Sequence, residues 1–142
     1  MKKLKILVIG GGGYIGTNLT NELLRIGFNV TALDTFWFGN YLKKHKRLKV
    51  IKKDIREILK KDLNKIDCII HLASIANDPA AELNAKLTWD VNVLATYSLI
   101  TLATNLKIKK FIFASSGSVY GIKKEKHVTE DLSLEPISEY NK

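Results

Sequence analysis

Four consecutive glycines, Gly10 to Gly13, limit what this chain can fold into more than any other stretch. They follow an unbroken apolar run, Ile6-Leu7-Val8-Ile9, and precede a segment in which Ile15, Leu19, Leu23 and Ile26 recur at helical spacing. The run before them reads as a parallel strand buried on both faces. The segment after them reads as an amphipathic helix. Glycines between the two permit positive φ and leave no Cβ in the way, so backbone N–H groups can approach an anion at the helix N-terminus. A glycine cluster alone marks only a tight turn. Strand, glycine turn and helix together predict a site for a dinucleotide pyrophosphate, with Gly10, Gly13, Gly16 and the helix-opening Tyr14 and Ile15 as candidate contacts.

The same alternation continues down the chain. Asn29 to Leu33 predicts a second strand ending at Asp34, and Leu48 to Ile51 a third ending near Asp54. Between them, Thr35 to Arg47 reads as an irregular loop with aromatic residues (Phe36, Trp37, Phe38, Tyr41) and a short helical piece. Ile55, Ile58, Leu59 and Leu63 predict a helix, and Cys68 to Leu72 a fourth strand. Asp78 is a candidate cap for a helix opening at Pro79. A long helical stretch from Ala80 to Lys107, broken near Asn84, shows two apolar faces: Leu87, Val91, Leu94, Ser98 and Leu102, and then Val93, Tyr97 and Ile100. Lys110 to Ala114 predicts a fifth strand, Ser115 to Gly121 a loop of small residues, and a further helix begins near Glu139 and Tyr140. Alternating β and α elements without repeats or a linker predict one α/β domain over residues 1–142, a Rossmann-type, doubly wound parallel sheet of about five strands with right-handed crossovers.

Composition narrows the class further. With 46% hydrophobic and 26% charged residues, the 142-residue chain is long enough for an ordinary core. It has no run of 18 apolar residues, and Met1-Lys2-Lys3 leads directly into a strand, so neither a membrane span nor a signal peptide is expected. Cys68, the single cysteine, excludes an internal disulfide, fits a cytoplasmic location and reads as a buried small hydrophobe. The net charge of +9 raises nucleic acid as a partner, with Lys43-Lys44-His45-Lys46-Arg47 as its densest cluster. The lysines are spread over the whole chain without aromatic interleaving, so a solvated basic surface is the expectation and a nucleic-acid partner is not. No metal-ligand spacing is present.

Asp34, at the end of the second strand, is placed to accept hydrogen bonds from the adenosine ribose hydroxyls of NAD. Facing the extra 2′-phosphate of NADP it would repel by about 4 kcal/mol for unit charges 4 Å apart at an effective dielectric near 20. No arginine follows it directly, so NAD is the expected cofactor, although Lys43 and Lys44 would soften the discrimination if their loop folded back. Asp54 and Ile55 are candidates for the adenine edge, against the plainer reading of Asp54 as a turn cap. His71, ending the fourth strand, reads as a structural hydrogen-bonding group rather than a base.

Taken in order, these residues resemble the extended short-chain dehydrogenase/reductases, in particular the NAD-dependent nucleotide-sugar epimerases and dehydratases. The resemblance rests on Gly10-x-x-Gly13-x-x-Gly16, Asp34, Asp54-Ile55-Arg56, His71-Leu72-Ala73, Asn92 within Trp89 to Thr96, Ser115 to Gly121, and the run from Thr129-Glu130 through Pro136 to Tyr140. It implies that Leu72, Ala73, Ser74 and Asn92 join the cofactor site, that Ser116 orients substrate, and that Tyr140 is the acid/base. A phenol titrating near pH 10 is a poor base at neutral pH unless a cation lowers its pKa. The family supplies that cation as a lysine four residues on, which from Tyr140 is position 144. Lys142, two residues on, is expected on another helix face and so does not substitute for it. The resemblance therefore implies the N-terminal part of such an enzyme, without the later strands and the substrate lobe, and inactive by itself. Gly117-Ser118 stands where water-eliminating members carry Asp-Glu, which favours epimerase or keto-reductase chemistry over a dehydratase. The two-faced helix around Asn92 resembles the family's homodimer bundle, and a nucleotide sugar is the implied substrate. A non-catalytic dinucleotide sensor on the same fold is the rival reading, since it needs the glycine loop but not Tyr140.

Overall fold

A computed structural model describes residues 4–138, 140 and 141. Five parallel strands form one sheet in the order β3-β2-β1-β4-β5: β1 Lys5–Ile9, β2 Asn29–Asp34, β3 Leu48–Lys52, β4 Cys68–His71 and β5 Lys110–Phe113. Alternate residues of β1 serve opposite faces, as a pleated strand requires. Ile6 and Val8 pack with Leu23, Leu24, Val30 and Ile70 on one side. Leu7 and Ile9 pack with Leu33, Ile69, Val91, Ala95 and Leu99 on the other. Both faces of the sheet's centre are thus covered, and the doubly wound Rossmann-type arrangement follows from the unbroken apolar runs of β1 and β4.

Helix α1 (Tyr14–Arg25) covers the first face. Its buried residues are Gly16, Thr20, Leu23 and Leu24, whereas Ile15 and Ile26 are more than half exposed. The apolar face is therefore turned by one position from the expected Ile15-Leu19-Leu23-Ile26 stripe. The cause is Gly16: any Cβ there would run into the carbonyl oxygen of Gly10, so this residue is the one pressed against the loop, and burial proceeds from it.

The second face is covered by a helical rod made of α3 (Ala85–Trp89), a π-helical segment (Asp90–Leu94) and α4 (Ala95–Asn105), with α2 (Asp78–Leu83) packed against α3. The expected break at Asn84 is present, and its side chain caps α3 by accepting from the Leu87 amide at 2.9 Å. The cap of α2 is Asn77 rather than Asp78, because the helix starts one residue earlier and the Asn77 side chain accepts from the Ala80 amide. The π segment widens one turn and shifts the phase of the rod. Val91, Ala95, Leu99 and Ala103 face the core, while Leu94 and Ser98 of the expected stripe are exposed.

Other expectations are corrected as well. Residues 55–63 form two short 3-10 turns, Ile55–Glu57 and Lys60–Leu63, not a helix. No helical piece occurs in 35–47; hydrogen-bonded turns from Phe36 to Gly39 and from His45 to Leu48 replace it. The helix expected near Glu139 falls partly outside the described residues. Tyr140 and Asn141 lie in a turn closed by the Asn141 amide on the Ser138 carbonyl. No helix among the described residues is long and apolar enough to cross a membrane.

Candidate functional site

Strand order reverses between β1 and β4, and a crevice opens there at the carboxyl ends of the strands. The glycine loop is wedged into it. Gly10 has φ +83°, and a Cβ on it would lie 2.6 Å from the Ala73 amide nitrogen. Only glycine lets β1 turn this tightly beside the chain leaving β4. Gly10 and Gly11 amides both donate to the Leu33 carbonyl, tying the loop to β2. Gly13 precedes α1 in extended conformation with no side chain to cap the helix, and no acidic residue lies in the first turn. The opening amides of α1 are therefore left for an external acceptor.

Asp34 completes the loop from the β2 side. Its Oδ2 accepts from the Gly12 amide at 3.0 Å and its Oδ1 from the Phe36 amide at 2.8 Å. Phe36 adopts φ 56°, an unusual conformation for a bulky side chain. This brings its ring over Gly12, where a Cβ would approach ring carbons at 2.5 Å. Gly12, Asp34 and Phe36 therefore hold one another in place.

A single cleft joins Gly10, Gly13, Asp34, Asp54, Ile55, Leu72, Ala73 and Ser74. Of the expected cofactor contacts, these share one surface except Tyr14, Ile15, Gly16 and Asn92. Tyr14 is 88% exposed beyond the cleft mouth, and Gly16 serves packing. Asn92 lies within the π segment and grips Ile75: its Oδ1 accepts from the Ile75 amide at 2.8 Å and its Nδ2 donates to the Ile75 carbonyl at 3.1 Å. It thereby fixes the cleft wall that runs from Leu72 to Ile75. Asp54 does cap a turn, accepting from the Arg56 amide at 2.8 Å, and pairs with the Arg56 guanidinium. The side-chain hydrogen bond from Arg56 holds its carboxyl below the usual range.

Sequence reasoning missed Gly12, Phe36, Trp37, Phe38, Lys53, Ile75 and Val91 as cleft residues. The aromatic run after Asp34 was the available signal. Lys43 and Lys44 stay outside the cleft lining.

Ser116 caps the 3-10 turn Gly117–Tyr120, its oxygen accepting from the Ser118 amide at 3.2 Å. Tyr140 is half-buried in the turn after Ser138. Neither lines the cleft. The segments that carry them are nonetheless joined, because the Glu135 amide donates to the Val119 carbonyl at 2.9 Å, and the Ser138 hydroxyl donates to Asp78 at the start of α2.

His71 is fully buried with Nε2 2.8 Å from Thr96 Oγ1. Burial lowers its pKa to about 4, so the ring is neutral at pH 7. This supports the structural reading.

Residues 6–142 match the family model described as the NAD dependent epimerase/dehydratase family. The chain belongs to the NAD dependent epimerase/dehydratase family. Among relatives of this family, a UDP-glucose 4-epimerase of Lactobacillus helveticus is 34% identical over 141 residues, covering 96% of this chain and 43% of that protein. The structure of a UDP-N-acetylglucosamine 4-epimerase from Methanobrevibacter ruminantium, in complex with UDP-N-acetylmuramic acid, superposes with a TM-score of 0.92 at 32% identity. That match covers 99% of this chain and 47% of the epimerase. A UDP-glucose 4-epimerase from Thermus thermophilus, in complex with NAD, matches with a TM-score of 0.87 at 26% identity, over 97% and 46% of the two chains. This family member thus spans a little under half the length of the relatives it matches.

Proposed function

We propose that this chain provides the NAD-binding domain of an epimerase-like oxidoreductase acting on a nucleotide sugar by reversible hydride transfer. The observation that carries the reading is the Asp34 carboxylate, held at the cleft by two loop amides beside the uncapped start of α1. The residues present fit the dinucleotide. Gly10, Gly12 and Gly13 line the cleft with backbone alone, and Asp34 keeps lone pairs for ribose hydroxyls. Asp54 and Ile55 would bound the adenine end, and Leu72, Ala73 and Ser74 the opposite wall. Bound there, NAD would supply the hydride acceptor.

In the whole enzyme, Tyr140 would remove the proton of the sugar hydroxyl as its carbon loses hydride, its pKa lowered by the cation that the resemblance places at position 144, and Ser116 would donate a hydrogen bond that orients the same oxygen. The keto sugar is then reduced from its other face. Gly117 supports this outcome over elimination of water. A Cβ there would meet nothing within 4 Å, so packing does not demand glycine at a position where an elimination reaction would use a carboxylate. The exposed side of the rod, with Trp89, Leu94, Tyr97 and Ile100 each at least 44% exposed, is the surface through which two copies would pair.

Fluorescence gives the test, because Trp37 lines the cleft. With Trp89 replaced by Phe, NAD is expected to change the Trp37 emission saturably. An unchanged emission together with absent heat in calorimetry would refute the reading.

A further inference from the structure

Lys53 follows directly on β3, and its amide donates to the Asp34 carbonyl at 2.9 Å, so its side chain starts beside the residue that faces the cleft. Among the described residues it is the only lysine or arginine that lines the cleft. Its ammonium is engaged elsewhere: Nζ lies 2.6 Å from Asp62 Oδ2, with the two side chains only 17% and 11% exposed. Asp62 is itself fixed, since the same Oδ2 accepts from the Leu59 amide at 2.9 Å. The pair is sheltered from water and rigid at its acidic end.

NAD and NADP differ by one phosphate on a ribose oxygen, and that phosphate needs a cation beside it. Lys53, whose backbone is bonded to that of Asp34, carries such a cation, already neutralised by a partner on the turn Lys60–Leu63. We propose that Asp62 is a specificity-determining residue, which withholds Lys53 from the ribose end of the cofactor and so favours NAD over NADP. This deepens the NAD-binding reading and rests on it. The effect adds to that of Asp34 and depends on a residue that contacts no ligand. Freed from Asp62, the long lysine stem lets the ammonium turn toward the cleft mouth.

Calorimetric titration of the 142-residue chain with NAD, NADP, 5′-AMP and 2′,5′-ADP tests this. The last two probes differ only in the 2′-phosphate. In Asp62→Asn, which keeps an oxygen for the Leu59 amide, NADP and 2′,5′-ADP are expected to bind about tenfold more tightly than to the parent chain, the gain shrinking with added salt. NAD and 5′-AMP should change by less than about twofold, since they place no charge there. The double variant Lys53→Met/Asp62→Asn should lose the gain. Asp62→Ser serves in the same role should Asp62→Asn not fold. A variant that binds NAD normally without gaining NADP affinity overturns the proposal, as does a gain that survives in the double variant. A parent chain that binds neither dinucleotide overturns the NAD-binding reading itself, and the proposal with it.

Discussion

Asp34 illustrates how much one carboxylate does at the residue scale. It satisfies two loop amides and keeps lone pairs turned to the cleft. Asp34→Ala is expected to weaken NAD binding by roughly tenfold to a hundredfold, the value of a charge-assisted hydrogen bond, measurable by calorimetry. His71 makes a prediction of the opposite kind, about stability. Its folded pKa of about 4 lies below the ordinary imidazole value of 6.5, so the unfolded chain takes up the proton first as pH falls. Stability should be flat above about pH 6.5 and decline toward about pH 4, by at most about 1.4 kcal/mol per pH unit from this group. The shifted carboxyls of Asp54 and Asp62 act only at lower pH, since theirs is lost as they protonate. Comparing urea midpoints at pH 7 and 5 for the parent chain and His71→Asn isolates the histidine; equal losses in both would contradict its assignment.

At the scale of elements, the grip of Asn92 on Ile75 joins the π segment to the cleft wall. Asn92→Ala leaves both backbone groups of Ile75 without that partner, and a loss of about 1–3 kcal/mol is expected. Faster amide hydrogen exchange confined to residues 72–76 would show that the wall, not the sheet, has loosened. The central strands β1 and β4 were legible in the sequence because both their faces are buried, which leaves an uninterrupted apolar signature. The glycine turn was legible because its conformation excludes side chains. What escaped has local physical causes. Residues 55–63 carry a helical-looking set, Ile55, Ile58, Leu59 and Leu63, yet Leu59 is 52% exposed and Ile58 is extended. Two short turns, capped by Asp54 and Asp62, bury the other three without a helix. The rod's phase was missed because a single widened turn leaves no mark in composition. Ser116 and Tyr140 were readable only through the resemblance, since nothing in their own spacing requires a shared site.

For the molecule as a whole, the glycine-loop collisions predict a stability defect separable from binding. Gly16→Ala pushes a methyl into the Gly10 carbonyl, and backbone on both sides must shift. A loss of about 1–3 kcal/mol is expected in thermal or chemical denaturation, as for other overpacked sites. The sheet's two edges differ in a way that matters for handling the protein. β3 carries Lys49 and Lys52 along its margin, a charged fringe that discourages strand addition. β5 has no such fringe at Ile112 and Phe113, which are 52% and 51% exposed. That margin is therefore the expected site of self-association. Concentrated solutions should turn cloudy through strand-to-strand stacking there, and Ile112→Lys should clear them, with light scattering as the gauge.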